Sequence, residues 1–378
     1  MTLGPDDFEY PNIDYPNDAH GNPRYPEPDP RHPSWVRLSN WQDLGRNGNQ
    51  LRPGIEGGDI AWVYTHQYNW RVWHLSGKNA GREGVELATN LDGVMDPDYE
   101  IKYQSGAYIV GAEAERVDYP MRAINMGVWI LGNTAAANMH GPFRYLMIED
   151  AWRQSWSETV PGYLGSFNRV HGWRWLQVLK GKGDSQPLKM SPTAHGNNAL
   201  LMNFTAHAPY PMYAKRALTA SWKNSAELVS NGDGVGHGTI AIANRGTWRN
   251  HPKFIITGKG KVSVQDGIGG KMVKLPEFFD SDGAYMMVDT DPTRQTITTA
   301  NEPVDDQLAK FLRNSQLLEA MFHDQVQRAT PAQRRVPGGV LFDQPIPART
   351  VAHLRVEHSN PQGTVTCIMG QHFRTAWA

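Results

Sequence analysis

Ile240-Ala-Ile-Ala-Asn-Arg-Gly246, followed by Pro252-Lys-Phe-Ile-Ile-Thr-Gly258, is the stretch from which the fold is read. Each half is a short apolar, β-branched run closed by glycine, the pattern of a strand running into a turn. Similar runs recur at close spacing over residues 239–243, 253–257, 261–265, 271–275, 285–289 and 295–299, separated by Gly, Asp and Asn. Short strands at regular intervals predict a β-sandwich. At the end of the chain Ala352, Leu354 and Val356 alternate with polar residues, Asn360-Pro-Gln-Gly363 turns the backbone, and Val365, Cys367 and Met369 return it. That alternation is expected to form a hairpin with one buried face.

Moving towards the N-terminus, Asn231-Gly-Asp-Gly-Val-Gly-His-Gly238 reads as a linker. It divides a domain over 56–235 from the sandwich over 236–378. The first domain begins with aromatic strand candidates at 60–64 and 70–75, a turn-rich loop at 77–84 and a further strand at 121–131. The period then changes. Pro142 opens a helix expected to reach about Ser157, with Phe143, Met147 and Ala151 in one row and Ile148, Trp152 and Trp156 in a parallel one. The tryptophan row is expected to pack on the sheet. Strands resume at 170–179, 199–208 and 217–223. The fold class is therefore mainly β with a few helices: an α+β first domain with a barrel-like sheet, then the sandwich.

Two segments stand outside this plan. Residues 1–55 interleave eight prolines from Pro5 to Pro33 with Tyr10, Tyr15, Tyr25, Trp35 and Trp41, an extended arm with the aromatic content of a docking segment. Val304 to Arg328 has helical period, with Leu308, Phe311, Leu312, Ser315, Leu318 and Phe322 on one stripe, and reads as a helical insertion in the sandwich over about 303–345.

Composition limits the function. The chain has 378 residues, 37 basic against 38 acidic, so no basic excess is available to grip phosphates. Its single cysteine, Cys367, rules out an internal disulfide and a cysteine-based zinc site, and lies in an apolar run as a small core residue. No stretch approaches the ~18–20 apolar residues needed to span a bilayer. Met1-Thr-Leu-Gly-Pro-Asp-Asp7 lacks the basic flank and apolar core of a secretion signal.

Candidate chemistry is sparse. His251, His353, His358 and His372 fall in the sandwich without metal-ligand spacing. Asp289-Thr-Asp291 has the form of a metal-binding pair, but Pro292 follows, and an Asp-capped turn is the plainer reading. Gly181-Lys-Gly183, Gly258-Lys-Gly260 and Gly267-Ile-Gly-Gly270 complete no phosphate-loop pattern and read as hairpin turns. Glu149 and Asp150 are neighbours on a helix and diverge by ~100°, which is wrong for two carboxylates flanking one bond. Trp173 and Trp175 share a strand face and are expected in a core or interface. Exposed, that pair, together with Trp248 and Trp377, would suit a sugar-binding module. No catalytic, cofactor-binding or metal residue is nominated.

The run 240–246, 252–258, the hairpin at 261–265 and Val288-Asp-Thr-Asp291 together resemble the distal tail (Dit) proteins of long-tailed phages. Trp73-His-Leu-Ser-Gly77, Gly81-Arg-Glu-Gly-Val85 and Trp152-Arg-Gln-Ser-Trp156 resemble minor tail proteins of phages of actinobacteria. The resemblance implies a galectin-like sandwich hung on a ring-forming domain. It implies a six-membered ring that continues the tail tube and adapts it to a hub or tail-associated protein, with fibres and tape measure protein as further partners. Such a subunit is structural, not enzymatic; it is assembled in the host cytoplasm and resides in the virion tail tip. The Pro/Tyr arm and the helical insertion depart from the family pattern.

Overall fold

The computed structural model describes residues 60–66, 72–77, 79–106, 110–132, 142–168, 170–181, 191–193, 198–230, 234–280, 283–293, 296–300, 330–332, 335–337 and 342–377. The arm over 1–55 and the helix expected over Val304 to Arg328 lie outside these residues. Strands dominate the described chain, as the sequence predicts. It forms two compact units. Unit 1 is Met1–Tyr213 with Arg374–Ala378, and unit 2 is Ala214–Phe373. Unit 2 is thus an insertion, entered before the glycine-rich 231–238 stretch, and the chain ends back in unit 1.

Unit 1 contains β1 (Ala61–His66), β2 (Val72–His74), β3 (Val85–Asp92), β4 (Glu100–Gln104), β5 (Glu113–Asp118), β6 (Arg122–Leu131), α1 (Pro142–Gln154), β7 (Gly162–Asn168), β8 (Gly172–Lys180) and β9 (Ala199–Ala208). Its antiparallel ladders run β2-β1-β7-β8-β9-β6-β3. The two ends of this path approach where Leu87 N–H donates to the Leu75 carbonyl (2.6 Å), but among the described residues no ladder joins them and the sheet is not a closed barrel. β4 and β5 stand apart as a two-stranded sheet.

α1 ends at Gln154, short of Ser157, where Ser155 N–H and Oγ both bond the Ala151 carbonyl. Tyr145, Ile148 and Trp152 form its buried stripe. Just past its end, Trp156 stacks on Tyr64 with ring centroids 3.9 Å apart, while Trp152 meets Trp73 and Phe204 edge-on. The tryptophan row does pack on the sheet. The row begun by Phe143 and Met147 faces outward instead. β7 carries no β-branched residue, and its glycines make room for rings: a Cβ on Gly162 would collide with the Tyr64 ring, and one on Gly165 would sit 2.6 Å from Trp175.

Unit 2 takes up β10 (Tyr213–Lys223) after its first residue. It continues with α2 (Ala226–Ser230), β11 (Gly236–Asn244), β12 (Lys253–Thr257), β13 (Val262–Gln265), β14 (Met272–Lys274), β15 (Tyr285–Asp289), β16 (Ile297–Ala300), β17 (Thr330–Pro331), β18 (Thr350–His358) and β19 (Thr364–Phe373). One sheet runs β11-β18-β13-β14 and the other β17-β16-β15-β12-β19-β10. Ile240, Ile242, Val264, Leu354 and Val356 from the first meet Phe254, Ile256, Met286, Val365 and Cys367 from the second in one core, which defines a sandwich.

The expected closing hairpin is corrected by this topology. β18 pairs with β11 and β13, whereas β19 pairs with β12 and lies beside β10. The two strands face each other across the core. Asn224 holds the corner between them: its side chain donates to the His358 and Asn360 carbonyls, and its backbone N–H donates to Gly363.

Candidate interaction surfaces

The residues singled out for chemistry are dispersed or already engaged. His358 is buried; Asn360 N–H donates to Nδ1 (2.9 Å), and Nε2 lies 3.2 Å from the Thr257 carbonyl. His372 is buried, His251 half-buried and His353 exposed. No group of three metal-binding side chains occurs among the described residues. Asp289 takes the Lys253 ammonium at 2.9 Å and accepts from the Asp291 amide, and Asp291 accepts from the Thr293 amide and hydroxyl. The pair is therefore a capped turn, as the plainer reading holds.

Glu149 pairs with Arg153, and Asp150 accepts from Gln154, each four residues on. Gly267–Gly270 turns the β13–β14 hairpin. Gly258-Lys-Gly260 instead carries the chain from one sheet to the other, and of the Gly181-Lys-Gly183 turn only Gly181 is described. Trp173 and Trp175 are buried and stacked on each other, with centroids 5.2 Å apart, so neither ring is free to stack on a sugar. Trp377 is edge-on to Trp62, and the Arg249 guanidinium lies over the Trp248 ring. Cys367 is buried, and burial pushes its thiol pKa up.

In unit 1 the three motif stretches interlock. Trp73 Nε1 donates to Ser155 Oγ (2.9 Å), and the Tyr64 hydroxyl donates to the Ser155 carbonyl (2.6 Å). The buried His74 ring sits 2.8 Å from Glu83. Burial opposes ionisation of that carboxyl, but hydrogen bonds and charge from His74 prevail and hold its pKa below the ordinary value. Gly81 N–H returns to the His74 carbonyl, and Gly84 lies against Ile148 of α1.

Two further features have no motif. The first is a pair of buried arginines that face carbonyls. Arg122 donates through Nη1 to Gly93, Val94 and Met95 and through Nη2 to Arg374, and its guanidinium lies 5.1 Å from the Tyr213 ring centre. The Tyr213 hydroxyl donates to Val94 as well. Arg174 donates to the Thr375 carbonyl, and Ser166 to that of Ala376. Burial lowers the pKa of both arginines, Arg174 to about 10. The last residue before the insertion and the first after it are thus gathered on one side chain.

The second feature is exposed apolar surface. The β4–β5 hairpin leaves Tyr99 60% and Tyr103 62% exposed, and α1 leaves Phe143 63% and Leu146 and Met147 56% each. No described helix is long and apolar enough to cross a membrane.

The sequence matches no family model and no curated protein. Solved structures of phage proteins resemble the fold. One is the SPP1 Dit (gp 19.1) protein, described as a paradigm of the hub adsorption apparatus of phages infecting Gram-positive bacteria. It has a TM-score of 0.49 and 8% identity over 82% of this chain and 98% of that one. Another is the phage P2 baseplate in its activated conformation with calcium, at TM-score 0.46 and 7% identity over 82% and 98%. The strontium form of that baseplate gives 0.46 and 6% over 82% and 97%.

Proposed function

We propose that this chain is a structural subunit of the tail tip of a long-tailed phage, a Dit-like protein related to the minor tail proteins of actinobacteriophages. Six copies form a ring through unit 1. The ring joins the tail tube to a hub or tail-associated protein, with fibres and tape measure protein as neighbours. The observation that carries this reading is the coincidence of motif and core. The ordered stretches between Ile240 and Asp291 supply β11, β12, β13 and the end of β15, four strands around one sandwich core. A resemblance that falls on core strands in order tracks a fold, whereas one scattered over loops tracks only turn chemistry. The interlocked Trp73, Glu83 and Ser155 stretches support the reading for unit 1.

A head-to-tail contact that closes on itself makes a ring from one pair of unlike patches, and near-zero net charge limits repulsion between copies. Electron microscopy of the purified chain, with mass measured by light scattering, tests this. Rings of about six copies with a central channel are expected. A monomer at every concentration overturns it.

A further inference from the structure

β4 and β5 are amphipathic, and their apolar side is bare. Ile101 lies opposite Val117 in the ladder, and Tyr103 follows on the same face by alternation. The Tyr99 and Tyr119 rings meet with centroids 6.2 Å apart. The charged residues bond along the ladder, where Lys102 and Arg116 both reach Asp118. A lone two-stranded hairpin is marginally stable in water, and one with an uncovered aromatic face calls for something to lie on it.

Unit 1 carries a second bare apolar surface. Phe143, Leu146 and Met147 sit three and four residues apart on α1, opposite the buried Tyr145, Ile148 and Trp152 stripe. The two surfaces match in size. At ~150–250 Å² for a large aromatic side chain, each exposes roughly 300 Å² of apolar area. A specific interface buries about 1,200–2,000 Å² in total, rather more than half of it apolar. Neither surface meets that alone, whereas one against the other, with a polar rim, approaches the lower bound.

At ~100° per residue Asp150 falls within the α1 stripe, and of the arginines that border it Arg153 is already paired with Glu149, so the match between the two faces is one of apolar area and not of opposite charge. Both surfaces stay exposed within one chain, so they do not cover each other there.

We infer that the β4–β5 hairpin of one copy lies across the Phe143–Leu146–Met147 stripe of the next. The occupant of each bare face is therefore a second copy of this chain. The inference rests on the ring reading and deepens it. Every copy offers one face of each kind, so the contact repeats head to tail until it closes.

Cross-linking tests it in the full chain, whose one native cysteine is buried. Tyr103→Cys and Met147→Cys chains are mixed in equal amounts and oxidised with diamide. The expected product is a disulfide between unlike chains, and the doubly substituted chain is expected to give a ladder of covalent multimers. Disulfides only between like chains, or rings that form without any cross-link, overturn the docking but leave the ring intact. Absence of any assembly overturns the ring reading itself. Deleting residues 1–55 should leave the cross-link in place; its loss would make the arm the occupant and overturn the proposal. Both positions are exposed, so unchanged circular dichroism is expected and confirms folding. Independently, Tyr103→Ser or Leu146→Ser should raise the concentration for half-assembly about tenfold, near 1.4 kcal/mol. Unchanged assembly in both variants counts against the contact.

Discussion

The β18–β19 arch and the β4–β5 hairpin share a pattern and part company in what covers it. Each is a pair of consecutive strands that gathers its apolar residues on one face, by alternation in the arch and in β4, and in β5 through a register shift that sets Ala114 and Val117 opposite Tyr103 and Ile101. In the arch Ala352, Leu354, Val356, Val365, Cys367 and Met369 are all buried, because the two strands belong to opposing sheets and point at each other. In the hairpin the strands pair with one another, so their apolar side chains lie on one face with no sheet opposite. Alternation decides which face of a strand is apolar. It leaves open whether that face meets the same chain or another molecule.

The largest effects are expected where the arch closes the core. Leu354→Ala removes a fully buried side chain between the two sheets and should cost ~2–5 kcal/mol, read as a fall in denaturant midpoint. The same truncation at Ile101 should cost far less in the isolated chain. Equal losses would erase the distinction between covered and uncovered strands.

Next comes the clasp. Arg122→Met keeps the aliphatic stem but leaves the carbonyls of Val94, Met95 and Arg374 without their charged donor. Hydrogen bonds to a charged group contribute ~1.5–3 kcal/mol each before relaxation, so a loss of about 3 kcal/mol is expected. Hydrogen exchange should show it in the amides of unit 1 near Gly93 and Arg374, ahead of the β11–β18 ladder. Exchange that rises equally in both units would mean that Arg122 is not a local clasp.

Acidity gives a smaller effect, confined to unit 2. Burial lowers the pKa of His358, opposed by the Thr257 and Gly258 backbone. Burial likewise lowers that of His251, opposed by Asp291, Asp289 and Asp266 and assisted by Arg249. A histidine whose folded pKa lies below its unfolded value takes up its proton more readily when unfolded. Stability is then complete above the unfolded value of ~6.5 and declines as the pH falls below it. Protonation at Nδ1 of His358 would also oppose the Asn360 N–H that donates there. Thermal unfolding of unit 2 should therefore move to lower temperature between pH 7 and 5, and His358→Gln should flatten that dependence. No change in this window would sink the assignment.

The same contrast explains what the sequence shows. The sandwich strands were legible because β-branched runs between glycines need only local chemistry, and β12 and β15 match their expected ranges at both ends. The Ile148–Trp152–Trp156 row was legible because helical period places it. The partners of β18 and β19 were not, since pairing is set by the corner at Asn224 and not by alternation. β7 was hidden because its strand chemistry is replaced by glycines that fit Tyr64 and Trp175. β4 and β5 were hidden by their charges. A lone Arg122 carries no signal until tertiary structure brings Arg374 to it. Trp173 and Trp175 lie in the core, as their shared strand face leads one to expect, and Phe143 and Met147 of the amphipathic helix form its exposed row.

The smallest effect on the isolated chain is the one that separates the two strand pairs most cleanly. Tyr103 is 62% exposed, so Tyr103→Ser removes little buried area from a single copy and should change its stability by no more than ~0.5 kcal/mol. Serine also has lower strand propensity, a cost within the ~1 kcal/mol span of that scale and smaller at an exposed edge. Urea unfolding under dilute conditions, where copies do not associate, should give a midpoint close to that of the parent. Raising protein concentration should stabilise the parent more than the variant, because only a contact made between copies adds free energy that depends on concentration. A variant equally destabilised at every concentration would mean that Tyr103 is held by its own chain, and the hairpin would then be a second arch whose cover lies within the molecule.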